Sequence, residues 1–168
     1  MTAARITLRL ALPADAQAIA VMSRDLIEPG LGWSWTPARV ARSIANRDTT
    51  SIATCDGHQV VGFAIMHFGD DRARLNLLAV NSRYQGAGLG RRMTQWLEES
   101  ALVAGIEMIE LELRRSNVGA RKFYERLGYR SAGVVARYYR GEEDALRMSR
   151  DIRLTVGPAP AWQAPWLR

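Results

Sequence analysis

A glycine-rich segment near the middle of the chain has the residue types of an anion-binding turn. Residues 85–90, QGAGLG, place glycines at three alternate positions directly before an amphipathic helical pattern. The first N–H groups of a helix lack intrahelical partners, the helix dipole adds partial positive charge, and glycine lets the backbone approach a ligand closely. The segment therefore predicts a phosphate-binding turn. A left-handed turn that only packs the helix against a sheet is the alternative.

The residues around these glycines narrow the choice of phosphate motif. A P-loop requires Gly-Lys-Ser/Thr, but two arginines follow Gly90. The dinucleotide fingerprint would need a third glycine where Arg91 stands. The pattern that remains is Q-x-x-G-x-G over residues 85–90, with Arg83 just before it.

Two carboxylates lie on one face of a strand that follows the helix. Residues 106–113 alternate apolar and polar side chains, with Glu110 and Glu112 on the polar face. Burying two carboxylates on an inner strand is costly unless that face opens on a cleft. Either the strand lies at a sheet edge and both side chains are solvated, or one of them serves in acid–base chemistry.

Two aromatic pairs are candidates for binding a substrate. Tyr138 and Tyr139 stand in a C-terminal hairpin pattern, where hydroxyl groups can hold an extended chain or the rings can pack across strands. Trp33 and Trp35 lie in a loop next to glycines. Burial of both tryptophans in the core is the simpler interpretation, and Trp33 is kept as a candidate for the wall of a substrate site.

The strand and helix on either side of the glycines form the central unit. The apolar run at residues 75–80 is typical of a strand that is covered on both faces. After the glycines, a helix is predicted as far as Gly105, which ends it. Its inward face is Leu89, Met93, Trp96, Leu97, Ala101 and Ala104, and its outward face is Arg91, Arg92, Gln95, Glu98 and Glu99.

The remaining patterns predict an α/β fold. Pro13 opens a first helix, Thr36 and Pro37 begin a second, and Asp56-Gly57 joins the two strands of a hairpin. A strand that is reached from its neighbour through a helix is most simply parallel to it, which applies to residues 106–113. The predicted strands are residues 6–10, 50–55, 59–68, 75–80, 106–113, 129–136 and 144–151.

Composition favours a single domain in a reducing compartment. The chain has 168 residues, is 48% hydrophobic and has one cysteine, which excludes an internal disulfide. No apolar run reaches the ~18 residues of a membrane span, and the first residues lack the pattern of a signal or transit peptide. We therefore expect a cytoplasmic protein. The net charge of +6 is scattered along the chain, which fits an anionic partner no better than a solvated basic surface.

The Q-x-x-G-x-G segment resembles the pyrophosphate loop of the GNAT superfamily, the acetyl-CoA-dependent N-acetyltransferases. A second segment resembles the ribosomal-protein-alanine N-acetyltransferase branch of that superfamily, and together the motifs cover about residues 5–150 in order. The resemblance implies one GNAT domain at residues 1–152, with a mixed, mostly antiparallel sheet of about seven strands, a parallel central pair and helices on both faces. Residues 153–168 would form a tail that contains proline and tryptophan. The residues that carry the second resemblance are Leu111, Glu112, Arg114, Ser116, Asn117, Ala120, Tyr124, Gly128, Tyr129, Tyr138, Tyr139, Glu143, Asp144 and Ala145.

The resemblance also implies roles for individual residues. Glu112 would be the general base and Tyr124 the general acid, while Tyr138 and Tyr139 would hold the backbone of the acceptor. Acetyl-CoA would be the acetyl donor, with its pantetheine arm and thioester along the backbone of residues 78–80. No metal ion is expected. The implied cofactor-binding residues are Leu78, Ala79, Val80, Arg83, Gln85, Gly86, Ala87, Gly88, Leu89, Gly90, Arg91, Asn117 and Tyr124.

The expected acceptor is a primary amine, in the first place the N-terminal α-amine of a protein or peptide, with ribosomal proteins as candidates. An α-amine with a pKa near ~8 is partly neutral at pH 7, whereas a lysine near ~10.4 is neutral at about one part in a thousand. A modest base such as Glu112 suits the α-amine better. Two alternatives stay open: a small-molecule acetyltransferase acting on a polyamine, amino acid or drug, and a non-catalytic acyl-CoA-binding module. We expect no direct nucleic-acid binding, no membrane contact, and a monomer or homodimer.

Overall fold

Seven strands form one sheet in the computed structural model, which describes residues 6–155, the last two by their backbone only. The strands are β1 Ile6–Leu10, β2 Thr49–Asp56, β3 Gln59–Phe68, β4 Arg72–Val80, β5 Met108–Arg114, β6 Arg130–Tyr139 and β7 Glu143–Asp151. The helices are α1 Ala16–Leu26, α2 Pro37–Ala45, α3 Leu89–Val103 and α4 Val118–Arg126. None of the described helices is long and apolar enough to cross a bilayer. The predictions for residues 156–168, including Trp162 and Trp166 in the tail, lie outside the described residues.

The strand order is β1-β2-β3-β4-β5-β7-β6, and the fold predicted from the sequence is confirmed. Among the described strands, β4 and β5 pair in parallel and the other neighbours pair antiparallel. The hairpin at Asp56-Gly57 and the cap at Thr36, whose side chain accepts from the N–H of Arg39, are as predicted. The sequence patterns did not reveal that β7 lies between β5 and β6.

The parallel pair is short because β4 bends away from β5. The ladder joins only Arg72–Arg74 to Met108–Glu110, although both strands continue beyond these residues. In the β3–β4 ladder, Met66 pairs with Leu75 and Ile65 pairs with Leu77, which leaves Asn76 as an extra residue. Such a bulge bends its strand and reverses the facing of the residues that follow. We call the resulting gap, between residues 75–80 of β4 and 111–114 of β5, the open seam.

Helices cover both faces of the sheet, as predicted. One core cluster joins α1 and α2 to the sheet through residues such as Ile19, Val40 and Phe63. The other joins α3 and α4 to the opposite face through residues such as Met93 and Leu111. Both faces of the sheet are therefore buried against helices.

One prediction about α3 is wrong. Glu98, which the helical pattern placed on the outward face, is 8% exposed. Its carboxylate accepts hydrogen bonds from Arg150 Nη1 at 2.8 and 3.0 Å and from the Tyr129 hydroxyl at 3.1 Å. Burial raises the pKa of Glu98, and Arg150 opposes that rise. The inward face of α3 is thus wider than apolar residues alone suggest, whereas Ala104, predicted inward, is the exposed C-cap residue.

Candidate active site

The glycine turn before α3 has the backbone geometry of an anion site. Gly86 and Gly88 have φ angles of 79° and 80°, the left-handed region that glycine adopts readily. Gly88 is the N-cap residue of α3, and its carbonyl accepts the first helical bond from the N–H of Arg92. A Cβ at either glycine would meet nothing within 4 Å. The first-turn N–H groups therefore face an open space in which a phosphate could lie.

The other motif residues of this turn have structural partners. The Gln85 side-chain amide donates to the Val80 carbonyl at 3.0 Å, which fastens the turn to the end of β4. A Cβ at Gly90 would lie 3.1 Å from Cζ of Phe123, so glycine there lets α3 and α4 approach closely. Both residues position the turn, and direct cofactor contacts by their side chains or backbone stay predictions. Arg83 and Arg91 are exposed beside it.

We expect Gly88→Ala to weaken the binding of CoA about tenfold or more. The new Cβ would strain the left-handed conformation by about 1 kcal/mol and would enter the space proposed for phosphate. Gly105→Ala is the matched control, since Gly105 also has a positive φ, of 81°, and open surroundings, and it lies at the opposite end of α3. Calorimetric titration with CoA measures the affinity and thermal unfolding measures the strain. Equal CoA affinity in both variants would contradict a phosphate site at Gly88.

Glu112 and Glu110 lie on an interior strand, so the interpretation of a solvated sheet edge is wrong. The side chain of Glu112 is 6% exposed and that of Glu110 is 17% exposed. Glu110 Oε1 pairs with Arg72 at 2.6 Å. Glu112 Oε1 lies 3.4 Å from Arg74 Nη1 and 3.3 Å from Arg147 Nε.

The second oxygen of Glu112 is not hydrogen-bonded within the protein. Oε1 is the oxygen nearest to each arginine, and Oε2 accepts no hydrogen bond from another described residue. Two guanidinium groups offset the cost of burying the charge and fix the orientation of the carboxylate. Oε2 is therefore the atom that can accept a proton, either from an amine or from an intervening water.

Tyr124 is buried on α4 among other aromatic side chains. Its ring makes edge contacts with Phe123 and Tyr129 at centroid distances of 5.0 and 5.5 Å. Burial raises the pKa of the Tyr124 phenol well above its ordinary value, so the hydroxyl stays protonated near neutral pH. No hydrogen bond joins this hydroxyl to another described residue. It can therefore donate a proton or a hydrogen bond to a bound group.

Glu112 and Tyr124 lie on opposite faces of the sheet. Leu111 and Leu113 belong to the same core cluster as Tyr124, and side chains alternate along β5, so Glu112 points to the other face. The two residues do not contact each other directly. A reacting group served by both must lie in the open seam, where the sheet is not closed between the two faces.

A groove of about 330 Å³ leads to Glu112 on its own face. One wall is the connection between α1 and α2 with the start of α2, and the other is the end of β6 with the turn to β7. Tyr138 and Tyr139 contribute to this second wall, with ring centroids 5.0 Å apart at 81°. Tyr138 is 47% exposed, while burial, with smaller effects of Tyr138 and Glu112, raises the pKa of Tyr139 to about 12. The groove is lined by Ile27, Glu28, Leu31, Ser34, Trp35, Arg39, Arg74, Leu75, Asn76, Leu77, Glu112, Tyr138, Tyr139 and Arg140.

Trp35, and not Trp33, is the tryptophan that lines the groove. Trp33 is 37% exposed, so its predicted burial in the core is wrong. Its indole N–H donates to the Ala20 carbonyl at 3.1 Å, which packs it against α1. Trp35 packs partly into the core and stacks under the guanidinium of Arg39 at 4.0 Å. The role of Trp33 in binding an acceptor stays a prediction. The structure offers Trp35 for that role as well.

The loop that carries the tryptophans is held by Glu28 from within and by arginines from other elements. Glu28, 5% exposed, accepts hydrogen bonds from Ser23, from Ser34 and from the N–H of Trp35. Arginines from other elements donate to carbonyls of the same loop. These contacts run from Arg114 to Pro29 at 2.6 Å, from Arg140 to Gly30 at 3.4 Å and from Arg39 to Ser34 at 3.4 Å. Sequence reasoning missed these partners because no local pattern signals them.

Asn117, predicted to bind the cofactor, is the N-cap residue of α4. Its side-chain oxygen accepts from the N–H of Ala120 at 3.0 Å. The side-chain NH₂ has no hydrogen-bond partner among the described residues and can still donate to a ligand. A hydrogen bond from Asn117 to the cofactor stays a prediction.

Residues 20–129 match the family model described as Acetyltransferase (GNAT) family. This match covers the sheet from β2 to β5, the glycine turn, Glu112 and Tyr124. The chain belongs to the GNAT acetyltransferase family. The superfamily suggested by the two sequence motifs is thereby confirmed.

Relatives of this GNAT protein include proteins that are named N-acetyltransferases. The ribosomal protein bS18-alanine N-acetyltransferase of Escherichia coli is 32% identical over 123 residues, which is 71% of this chain and 82% of that protein. The N-alpha-acetyltransferase RimI of Mycobacterium tuberculosis is 30% identical over 154 residues, which is 87% of this chain and 92% of that protein. The crystal structure of the ribosomal-protein-S18-alanine N-acetyltransferase from Escherichia coli has a TM-score of 0.76, at 24% identity, over 95% of this chain and all of that chain. This last likeness shows a shared fold.

Acetyl-CoA is the acetyl donor of GNAT acetyltransferases, and the described residues fit it. The turn at Gly86 and Gly88 leaves room for phosphates beside unpaired N–H groups. The open seam leaves backbone groups of residues 78–80 without a ladder partner on the side of β5. An extended amide-containing arm can pair with such groups.

Proposed function

We propose that this GNAT enzyme transfers acetyl from acetyl-CoA to the N-terminal α-amine of a protein or peptide, with a ribosomal protein as the candidate acceptor. The observation that carries the proposal is the groove that leads to Glu112 between the Trp35 loop and the Tyr138-Tyr139 turn. A groove with two walls suits an extended chain, and tyrosine hydroxyls can hold its backbone. The named activities of the two sequence relatives support the same class of acceptor.

In the proposed mechanism, Glu112 and Tyr124 transfer protons, and the other residues orient the reacting groups. Bound acetyl-CoA supplies a thioester as the acetyl source. Glu112 takes the ammonium proton of the acceptor at Oε2, directly or through water, because a neutral amine is needed for attack. The backbone of residues 78–80 orients the donor, and Tyr124 gives a proton to the leaving sulfur. Arg74 and Arg147 hold Glu112 in place during the reaction.

The charges of the groove count against a polyamine or aminoglycoside acceptor. Arg39, Arg74 and Arg140 line it, and a pocket for a polycation needs acidic walls. These positive charges do not oppose the binding of a free amino acid, which also carries a carboxylate. Amino acids are therefore included in the test. The non-catalytic alternative is opposed by the presence of both Glu112 and Tyr124 in suitable surroundings.

The test is the release of CoA thiol from acetyl-CoA by purified protein offered a panel of amines. The panel contains peptides with a free α-amine, the same peptides with a blocked N-terminus and an internal lysine, amino acids, polyamines and aminoglycosides. We expect turnover with the free peptides only. Turnover restricted to a small amine would overturn the proposed acceptor. Binding of CoA without turnover of any amine would favour the binding module.

Further expectations about the whole chain accompany this proposal. We propose that residues 1–152 form the catalytic domain and that residues 153–168 are an appended tail. A cytoplasmic location, a monomeric or homodimeric state and the lack of direct nucleic-acid binding stay predictions from the sequence.

A further inference from the structure

The acceptor groove carries more positive than negative charge on its lining. Arg39 comes from α2, Arg74 from β4 and Arg140 from the turn between β6 and β7. The carboxylates that line the same groove are Glu28 and Glu112. The contacts of each charged side chain within the protein determine which of them can still bind a charged ligand.

Both carboxylates already have partners within the protein. Glu28 is buried and accepts hydrogen bonds from the loop residues that it fastens, Ser34 and Trp35 among them. Glu112 is buried between Arg74 and Arg147. Neither carboxylate lies within 4 Å of Arg39 or Arg140, so neither neutralises these two side chains at close range.

Arg39 and Arg140 have most of their donors free. Each donates one N–H to a loop carbonyl, at 3.4 Å to Ser34 and 3.4 Å to Gly30 respectively. Among the described residues neither has an ion-pair partner. A guanidinium group has five N–H donors, and its planar fork matches the two oxygens of a carboxylate. The two side chains reach the groove from opposite walls, and so a carboxylate between them would meet a donor on either side.

We propose that the groove selects acceptors with an aspartate or glutamate at the second or third residue, through Arg39 and Arg140. This inference rests on the proposed function. An extended peptide advances about 3.3–3.6 Å per residue, so these side chains lie within about 10 Å of the reacting amine, inside a groove of this size. A lysine or arginine at the same positions would place like charges together in a partly enclosed space.

The first experiment compares three peptides that differ only at residues 2 and 3, which are both Asp, both Asn or both Lys. The kcat/KM of the wild-type enzyme should be about five- to tenfold higher for the Asp peptide than for the Asn peptide, and lowest for the Lys peptide. The difference should lie mainly in KM and should shrink as salt is raised, because the interaction is between charges.

Variants that reverse or remove one charge assign the preference to particular side chains. Arg140→Glu should reverse the order and favour the Lys peptide, and Arg39→Gln should reduce the advantage of the Asp peptide. Arg140 is at a positive φ of 54° in an exposed turn, a position where glutamate is strained no more than arginine. Arg42→Glu is the control, because Arg42 is exposed on α2, has no ion-pair partner among the described residues and does not line the groove.

The outcomes separate this inference from the proposed function. Turnover of all three peptides at equal kcat/KM, or a preference for Lys, would overturn the inference and leave the proposed function intact. An Asp preference that Arg42→Glu changes as much as Arg140→Glu would show a general effect of net charge and would also overturn it. Turnover of no peptide, with turnover of a small amine, would overturn both.

Discussion

Replacing Glu112 with glutamine is expected to lower kcat about a hundredfold, since a general base contributes at least that much. Glutamine keeps the shape of the side chain, but its amide cannot take a proton from the acceptor. The reaction would then depend on the fraction of amine that is already neutral. For an α-amine with a pKa near ~8, the pH profile of kcat/KM should move to higher pH. Initial rates of thiol release from pH 6 to 10 measure both effects.

Glu110→Gln is the matched control for this change. Glu110 lies two residues away on the same face of β5 and pairs with Arg72, outside the acceptor groove. Its substitution should leave kcat and the pH profile near those of the wild type. Glu112→Gln also leaves Arg74 and Arg147 without their carboxylate, so thermal unfolding of both variants is needed to separate lost stability from lost catalysis. A folded Glu112→Gln enzyme with an unchanged pH profile would remove Glu112 as the base.

Tyr124→Phe is expected to lower kcat by a similar factor, about a hundredfold, while the affinity for CoA stays within about twofold. The ring keeps its contacts with Phe123 and Tyr129, and only the hydroxyl is lost. Because burial raises the pKa of Tyr124, the wild-type phenol stays protonated over the ordinary pH range and can donate throughout it. Loss of the proton donor should slow departure of the thiolate, which single-turnover kinetics can detect.

The control for Tyr124→Phe removes a hydroxyl elsewhere. Tyr84 donates a hydrogen bond to Asp56 at 2.8 Å and is neither the proposed acid nor the proposed base, so Tyr84→Phe should retain kcat. Its affinity for CoA is measured as well, because Tyr84 stands between the predicted cofactor residues Arg83 and Gln85. An acetyl donor whose leaving group departs more easily than the thiolate of CoA should restore part of the kcat of Tyr124→Phe. The same donor should not restore the kcat of Glu112→Gln. Full activity of Tyr124→Phe with acetyl-CoA would refute its role as the acid.

Much of the fold was predictable because its signals are local. Thr36-Pro37 caps α2, Asp56-Gly57 turns a hairpin, and the alternation of residues 106–113 defines β5 to within two residues. The glycine turn could be predicted for the same reason, because its two positive φ angles occur at glycines, which are visible in the sequence. The family resemblance added the candidate roles of Glu112 and Tyr124, which local patterns alone do not provide.

The features that were missed depend on contacts between residues far apart in the chain. Arg147 lies 35 residues from Glu112 in sequence and meets it only because β7 is inserted beside β5. The helical pattern predicts Glu98 to be a surface residue because its partner Arg150 lies 52 residues away in the chain. The bulge at Asn76 has no glycine or proline to mark it, so the open seam was not visible in the sequence.

Residues 75–80 of β4 and 111–114 of β5 face each other across the open seam, and the β4–β5 ladder does not pair their backbone groups on that side. An unpaired strand edge of this kind is a template for another extended chain, including one from a misfolded copy. A ligand that occupies the seam covers that edge, and its binding energy adds to the free energy of unfolding, by about 2.7 kcal/mol at a hundred times its Kd. The free energy of unfolding should therefore be higher with CoA or acetyl-CoA bound than without it.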